Sequence, residues 1–176
     1  MMLVLLGRPA PASGSDRLAQ PLIEIWKGKR KMVLYDGKHV VRRFKISLGL
    51  GSEGGAKRFR GDNRTPEGRY YVSDKNPGSR FHRFLGLSYP NVEDAERGYA
   101  SNLIDPEEWA DIFIANLKHE PPTYRTSLGG RVGIHGHGGR PEIGVDWTEG
   151  CVAVSDEEIE YLFEVIDIGT PVVIRE

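Results

Sequence analysis

A mainly β single domain, a sandwich or barrel carrying two or three helices, is what this sequence predicts. Three observations point there. Twenty-two glycines and eleven prolines among 176 residues suit a turn-rich β protein better than a helical bundle. Short runs rich in β-branched and aromatic residues recur along the chain, each bounded by turn residues. Two segments, by contrast, space their apolar residues helically and open on a capping box.

The chain is long enough to bury one core without disulfides or metal staples. Residues 1–21 stand apart. "MMLVLL" is apolar but has neither the basic n-region nor the roughly 7–15-residue apolar run of a secretory signal, and "GRPAPASGS" follows it directly. This stretch reads as a flexible N-terminal segment or a leader remnant, with the folded domain expected over residues 22–176. The first strands are expected at Leu22–Trp26, Met32–Tyr35 and Val40–Ser47. A basic glycine turn separates the first two, and Asp36-Gly37, a strong two-residue hairpin signal, separates the next. After a glycine-rich loop come a short strand at Arg69–Ser73, a turn, and a strand at Arg83–Pro90 stopped by its proline.

The texture then changes. In "DPEEWADIFIANLKHEPP", Asp105 is the N-cap, Pro106 takes the first helical position and Glu108 completes the capping box. Trp109, Ile112, Phe113 and Leu117 repeat at helical spacing, and Pro121-Pro122 ends the helix. The stripe reads as core contact, with a lid over one sheet edge as the alternative. "RVGIHG" and "GCVAVS" are short strands. Ser155 and Glu158 form a second capping box ahead of Ile159, Leu162, Phe163 and Ile166, and "GTPVVI" is the closing strand.

Charge is nearly balanced, 24 Lys+Arg against 25 Asp+Glu, which gives no reason to expect nucleic acid or an anionic membrane as partner. The basic clusters "KGKRK" (Lys27–Lys31) and "KRFRGDNR" (Lys57–Arg64) read as a solvated turn and loop. No run approaches the roughly 18 apolar residues of a membrane span. A single cysteine excludes an internal disulfide.

That cysteine, Cys151, follows Gly150 and precedes the second capped helix. A nucleophilic thiol needs a base to take its proton and backbone N–H groups to hold the oxyanion, and a preceding glycine lets a substrate approach. His135 stands at a strand end sixteen positions earlier (151 − 135), with glycines on both sides. On these residues alone, Cys151 reads equally as buried filler or as nucleophile. His135, His137 and Cys151 also form a nitrogen–nitrogen–sulfur set open to a metal, since His-x-His on a strand turns both rings to one face, although no fourth ligand has suitable spacing. The glycines at 136, 138 and 139 place the strand end near His135 and His137 in a loop, which favours His135 as a rigidly held base.

Together, "IHGHGG", "DWTEGCVAVS" and "GTPVVI" resemble the signature of the L,D-transpeptidase catalytic domain, also called the YkuD domain. "RTPEGRYYVSDKNPGSRFHRFLGLSYPN" is similar to the family's upstream T-P-x-G-x-Y strand, and the resemblance runs from Leu22 to Glu176. It implies a β-sandwich or barrel-like fold and a cysteine nucleophile acting on peptidoglycan stem peptides, as donor and acceptor, with no cofactor. Cys151 would attack the carbonyl of the diamino acid at stem position three, D-Ala would leave, and a neighbouring stem amine would take the acyl group. His135 would be the base, the Gly136 carbonyl would orient its ring, and the backbone at Gly150 and Cys151 would form the oxyanion hole. His137, Trp147, Thr148, Glu149, Tyr89 and Arg80 are the candidate substrate contacts. Trp147 reads alternatively as simple packing, Tyr71 and Tyr89 as core, Arg80 and His82 as solvated loop, and Glu149 as turned to solvent or paired with Arg140. His39 and His119 read as plain surface residues.

The family's common Ser-His-Gly-Cys is here Thr148-Glu149-Gly150-Cys151, and its usual arginine two residues later is Ala153. These departures resemble the branch that includes members cleaving lipoprotein from peptidoglycan, so a hydrolase on the same machinery stays open. A wall-attached lipoprotein is then a further partner. A non-catalytic or metal-binding wall domain is the alternative from another class. The resemblance also implies a monomer in the periplasm or cell envelope.

Overall fold

The computed structural model describes residues 17–140 and 142–176. Most of the N-terminal segment expected over residues 1–21 therefore lies outside the described residues. Eight strands form one sheet: β1 (Pro21–Trp26), β2 (Lys31–Asp36), β3 (His39–Lys45), β4 (Gly68–Ser79), β5 (His82–Leu87), β6 (Gly133–Gly136), β7 (Val152–Val154) and β8 (Pro171–Arg175). Three helices accompany them, α1 (Val92–Ala100), α2 (Pro106–Leu117) and α3 (Asp156–Val165).

Strand order is β3-β2-β1-β8-β4-β5-β6-β7. β1, β2 and β3 are an antiparallel meander, and the second turn uses Gly37 at a φ of 58°, a conformation open to glycine at little cost. The C-terminal β8 slots between β1 and β4, parallel to the first and antiparallel to the second. At the far edge, Ser47 and Ala153 exchange two backbone hydrogen bonds of 2.9 and 2.8 Å. The segment after β3 thereby meets β7 and nearly closes the sheet into a barrel. Closure satisfies backbone groups that an open edge would leave unpaired.

The barrel interior holds Ile23, Ile25, Met32, Leu34, Ile46, Leu48, Val72, Leu85, Ile134, Val152, Val154 and Ile174. Each fully buried aliphatic contributes about 1.5–3 kcal/mol relative to exposure. α3 packs over β5 and β6 through Ile159, Leu162, Val165 and Ile166, its start capped by Ser155 and Glu158 as expected.

Several expectations need correction. β4 does not stop at Ser73. It runs to Ser79 with register shifts at Val72/Asp74 and Asn76/Ser79, so "DKNP" is accommodated as irregular strand rather than as a turn. Helix α1 went unread, because its burial is Asp94, Ala95 and Gly98 rather than an apolar stripe. α2 begins at the expected capping box, yet Ile112 is its one buried residue and Leu117 is 70% exposed. The two helices build a small second cluster with Ile104 and Leu128. The basic clusters are only partly solvated. Lys27 is 1% exposed and pairs with Glu67 at 2.6 Å, while the 57–64 loop buries Lys57 against Asp62.

Candidate active site

β6 and β7 lie parallel with His135 beside Ala153, which sets Cys151 at the entrance of β7 near the imidazole strand. The approach to the cysteine is tied down along its length. Asp146 accepts from the Arg30 guanidinium at 2.6 Å and from the Leu48 N–H at 2.9 Å. Trp147 and Thr148 donate their N–H groups to Leu48 O, and Thr148 O accepts from Leu50. The Thr148 hydroxyl donates to Cys151 O at 2.7 Å and accepts from the Gly150 N–H at 3.2 Å, so one side chain clamps the turn. Gly150 has a φ of 132°, and a Cβ there would lie 2.7 Å from Arg64 O. No other residue fits without displacing the loop.

His135 is 1% exposed, and its Nδ1 lies 2.6 Å from Gly136 O. A carbonyl only accepts, so Nδ1 carries the hydrogen and Nε2 keeps its lone pair. Phe81 stacks on the ring at 4.5 Å between centroids and Trp147 meets it edge-on at 5.6 Å, fixing its plane. Burial pushes the His135 pKa below its ordinary value, with the Gly136 carbonyl partly opposing. The imidazole is therefore neutral and basic at neutral pH.

Cys151 is half-buried, and its thiol donates to Arg131 O at 3.6 Å. Burial pushes the thiol up to about 11; the Gly133 N–H and Lys57 pull against it, and Glu149 adds to it. The resting sulfur is a protonated thiol that needs a base.

Both groups open onto one cavity of about 1070 Å³. Of the sequence candidates, Arg80, Trp147, Thr148 and Glu149 also line it; Glu149 is exposed and Arg140 lies over the Trp147 ring at 5.9 Å. His137 and Tyr89 do not line it. His137 lies past the end of β6 and accepts from the Gly139 N–H at 3.0 Å, while Tyr89 is core, its hydroxyl donating to Leu128 O. His82, at the outer end of the β4–β5 hairpin, pairs with Glu160 at 2.6 Å, and His119 stacks on Tyr71. The metal reading has no support from the donor groups: among the described residues, no three His, Cys, Asp or Glu side chains gather into a metal-holding set.

Sequence reasoning missed Phe81, Phe84, Asp74 and Asn76, which the long β4–β5 hairpin carries to the cleft, and Lys57 and Arg131. The alternating "RFHRF" was the one signal for the aromatic pair. The lid alternative for α2 is also relocated. Helix α2 contributes nothing to the cavity wall, whereas the segment that follows it supplies Tyr124, Gly130 and Arg131. Arg131 stacks on the Tyr124 ring at 3.9 Å and takes a φ of 55°, which helps aim its carbonyl at the thiol.

Comparison with known proteins gives matching results. A family model described as the L,D-transpeptidase catalytic domain matches residues 20–174. The helical cell shape determining protein Pgp2 from Campylobacter jejuni shares 25% identity at a TM-score of 0.63, over 89% of this chain and 48% of its own. Bd1075 from Bdellovibrio bacteriovorus shares 18% identity at 0.56, over 90% and 48%. A C442S mutant L,D-transpeptidase from Enterococcus faecium shares 15% at 0.52, over 90% and 50%, and these two likenesses show the fold alone. The chain spans about half the length of these solved relatives. No curated protein matches significantly.

Proposed function

The chain belongs to the L,D-transpeptidase catalytic domain family, and from that premise we propose that it is a cysteine-dependent enzyme acting on peptidoglycan stem peptides in the cell envelope. One observation carries the reading: a neutral, ring-locked His135 with Nε2 left basic opens onto the same cavity as a half-buried thiol that needs a base.

His135 Nε2 takes the thiol proton as the sulfur attacks the carbonyl carbon of the stem's third residue. The Cys151 backbone N–H holds the oxyanion, the Gly150 N–H being engaged by the Thr148 hydroxyl, and Gly150's conformation aims that backbone. The tetrahedral adduct collapses by breaking the peptide C–N bond. The imidazolium returns its proton to the departing D-Ala amine, leaving a thioester on Cys151. An amine on a neighbouring stem, or on a wall-attached lipoprotein, then attacks the thioester, forms the new amide and regenerates the thiol. Phe81, Trp147 and Arg80 line the cleft around the two groups.

The test is incubation with a defined tetrapeptide-stem muropeptide, with and without an acceptor amine, and identification of products by mass. D-Ala release with an amide-linked product supports transfer. Release with only a free carboxylate assigns hydrolysis instead, since both share the thioester. Retained turnover in Cys151→Ala would overturn the nucleophile.

A further inference from the structure

An ammonium is held in a protein interior only when it is paired and hydrogen-bonded. Lys57 is 4% exposed; its Nζ donates to Asp62 Oδ1 at 2.8 Å and to Phe59 O at 3.0 Å. The Asp62 side chain is 3% exposed and also accepts from the N–H groups of Arg58, Phe59 and Arg64. Burial raises its carboxyl, yet these donors and Lys57 outweigh burial and leave it below its ordinary value. The Asp62 carboxylate is therefore charged.

Holding the 57–64 loop together explains the pairing but not its orientation. Lys57 lines the cleft and Asp62 does not, so the lysine is the member of the pair on the cavity side. Nζ lies 3.9 Å from where a Cβ on Gly150 would stand, beside the turn that carries the thiol. Two of its three N–H donors are used, and among the described residues the third has no partner. The lysine is fixed from behind as well. The Tyr89 ring lies 5.9 Å from Nζ, and Arg97, itself paired with buried Asp94, donates to Lys57 O at 3.4 Å.

We propose that Lys57, oriented by Asp62, is a positioning residue whose ammonium favours the thiolate of Cys151 as the proton leaves for His135. The proposal rests on the Cys–His reading above. Lys57 is among the groups that oppose the upward push of burial on the thiol. Arg80 acts in the same sense, Glu149 acts against it, and His135, Arg131 and Asp74 face the same cavity.

The experiment is alkylation of Cys151 by iodoacetamide, in which the thiolate displaces iodide to form a thioether, followed against pH by intact mass. Circular dichroism and thermal melts establish folding. Lys57→Met/Asp62→Asn removes both charges while keeping an acceptor for the loop N–H groups. It should slow alkylation about tenfold at a pH near 8.5, the effect of roughly one unit on the thiol. Asp62→Asn alone leaves the ammonium uncompensated and should speed alkylation, and Lys57→Arg should keep the wild-type profile. Shifts of opposite sign in the first two variants support the proposal; folded variants with the wild-type profile, or shifts of one sign, overturn it. Because alkylation needs no stem peptide, wild type that fails to process muropeptides would refute the proposed reaction while leaving this result standing.

Discussion

Removing the imidazole of His135 should convert a nearly pH-independent acylation into a steeply pH-dependent one. Burial holds the Cys151 thiol at about 11, four units above neutrality, so only about one sulfur in 10⁴ is ionised at pH 7 without help. A base that takes the proton during attack bypasses this population, and general-base assistance typically contributes roughly 10²–10⁴-fold. His135→Ala should therefore lose that factor at pH 7. Its residual rate should then climb about tenfold per pH unit towards 11, as spontaneous ionisation replaces the base. In wild type the rate should rise only as His135 loses its proton. Burial lowers that pKa, so the ascending limb falls below the usual value of about 6.5 and the rate is flat above it. His137→Ala should keep the wild-type profile, because His137 lies beyond β6 and outside the cavity wall. Stopped-flow acylation by a carbapenem-type β-lactam, with the adduct confirmed by intact mass, measures all three. A His135→Ala variant that loses less than tenfold at pH 7 with a flat profile refutes the reasoning. So does a His137→Ala variant that proves to be the dead one.

Three further outcomes follow from the same geometry. Glu149→Gln should ease the thiol's ionisation and move the alkylation profile to lower pH by less than one unit without abolishing turnover, since the carboxylate is exposed and screened; an unshifted profile leaves Glu149 without influence on the sulfur. Gly150→Ala should cost about 1–3 kcal/mol from backbone strain alone, lowering the melting temperature by several degrees, with activity falling further because the turn must move off Arg64 O. Asp146→Ala strands Arg30 and the Leu48 N–H; a loss of about 1.5–3 kcal/mol in chemical denaturation, together with slower acylation, is expected as the 146–148 segment loosens.

Features written in short windows were legible in the sequence. The capping boxes at Asp105 and Ser155 start helices where expected, because a cap needs only a side chain and the N–H three residues on. The β1–β3 meander followed from alternating β-rich runs and a glycine turn. Cys151 and His135 stood out because each sits at a strand boundary beside glycine, and the family motifs raised them above the reading of Cys151 as buried filler. Helix α1 was illegible because its stability comes from a buried carboxylate: Asp94 accepts from the Tyr70 hydroxyl, twenty-four residues away, and pairs with Arg97. The extension of β4 past Pro77 was hidden for a related reason. Turn-forming residues are tolerated in a strand when pairing with β5 slips register around them.

The sequence by itself singled out Cys151 and His135 as candidates for chemistry, showed where most elements start and stop, and indicated that one β-rich domain would result. Only the tertiary structure decided which of those residues meet. Tyr89 looked as suited to the cleft as to the core until its hydroxyl was found on Leu128 O. "KRFRGDNR" looked like solvated charge, yet Lys57 is sealed against Asp62 and lines the cleft. Aromatics from the far hairpin, Phe81 and Phe84, turned out to face the His135 ring. The physical reason is common to all three. Burial and long-range electrostatics depend on how a barrel closes, through contacts such as Ser47 with Ala153, and a window of sequence holds only one side of each contact.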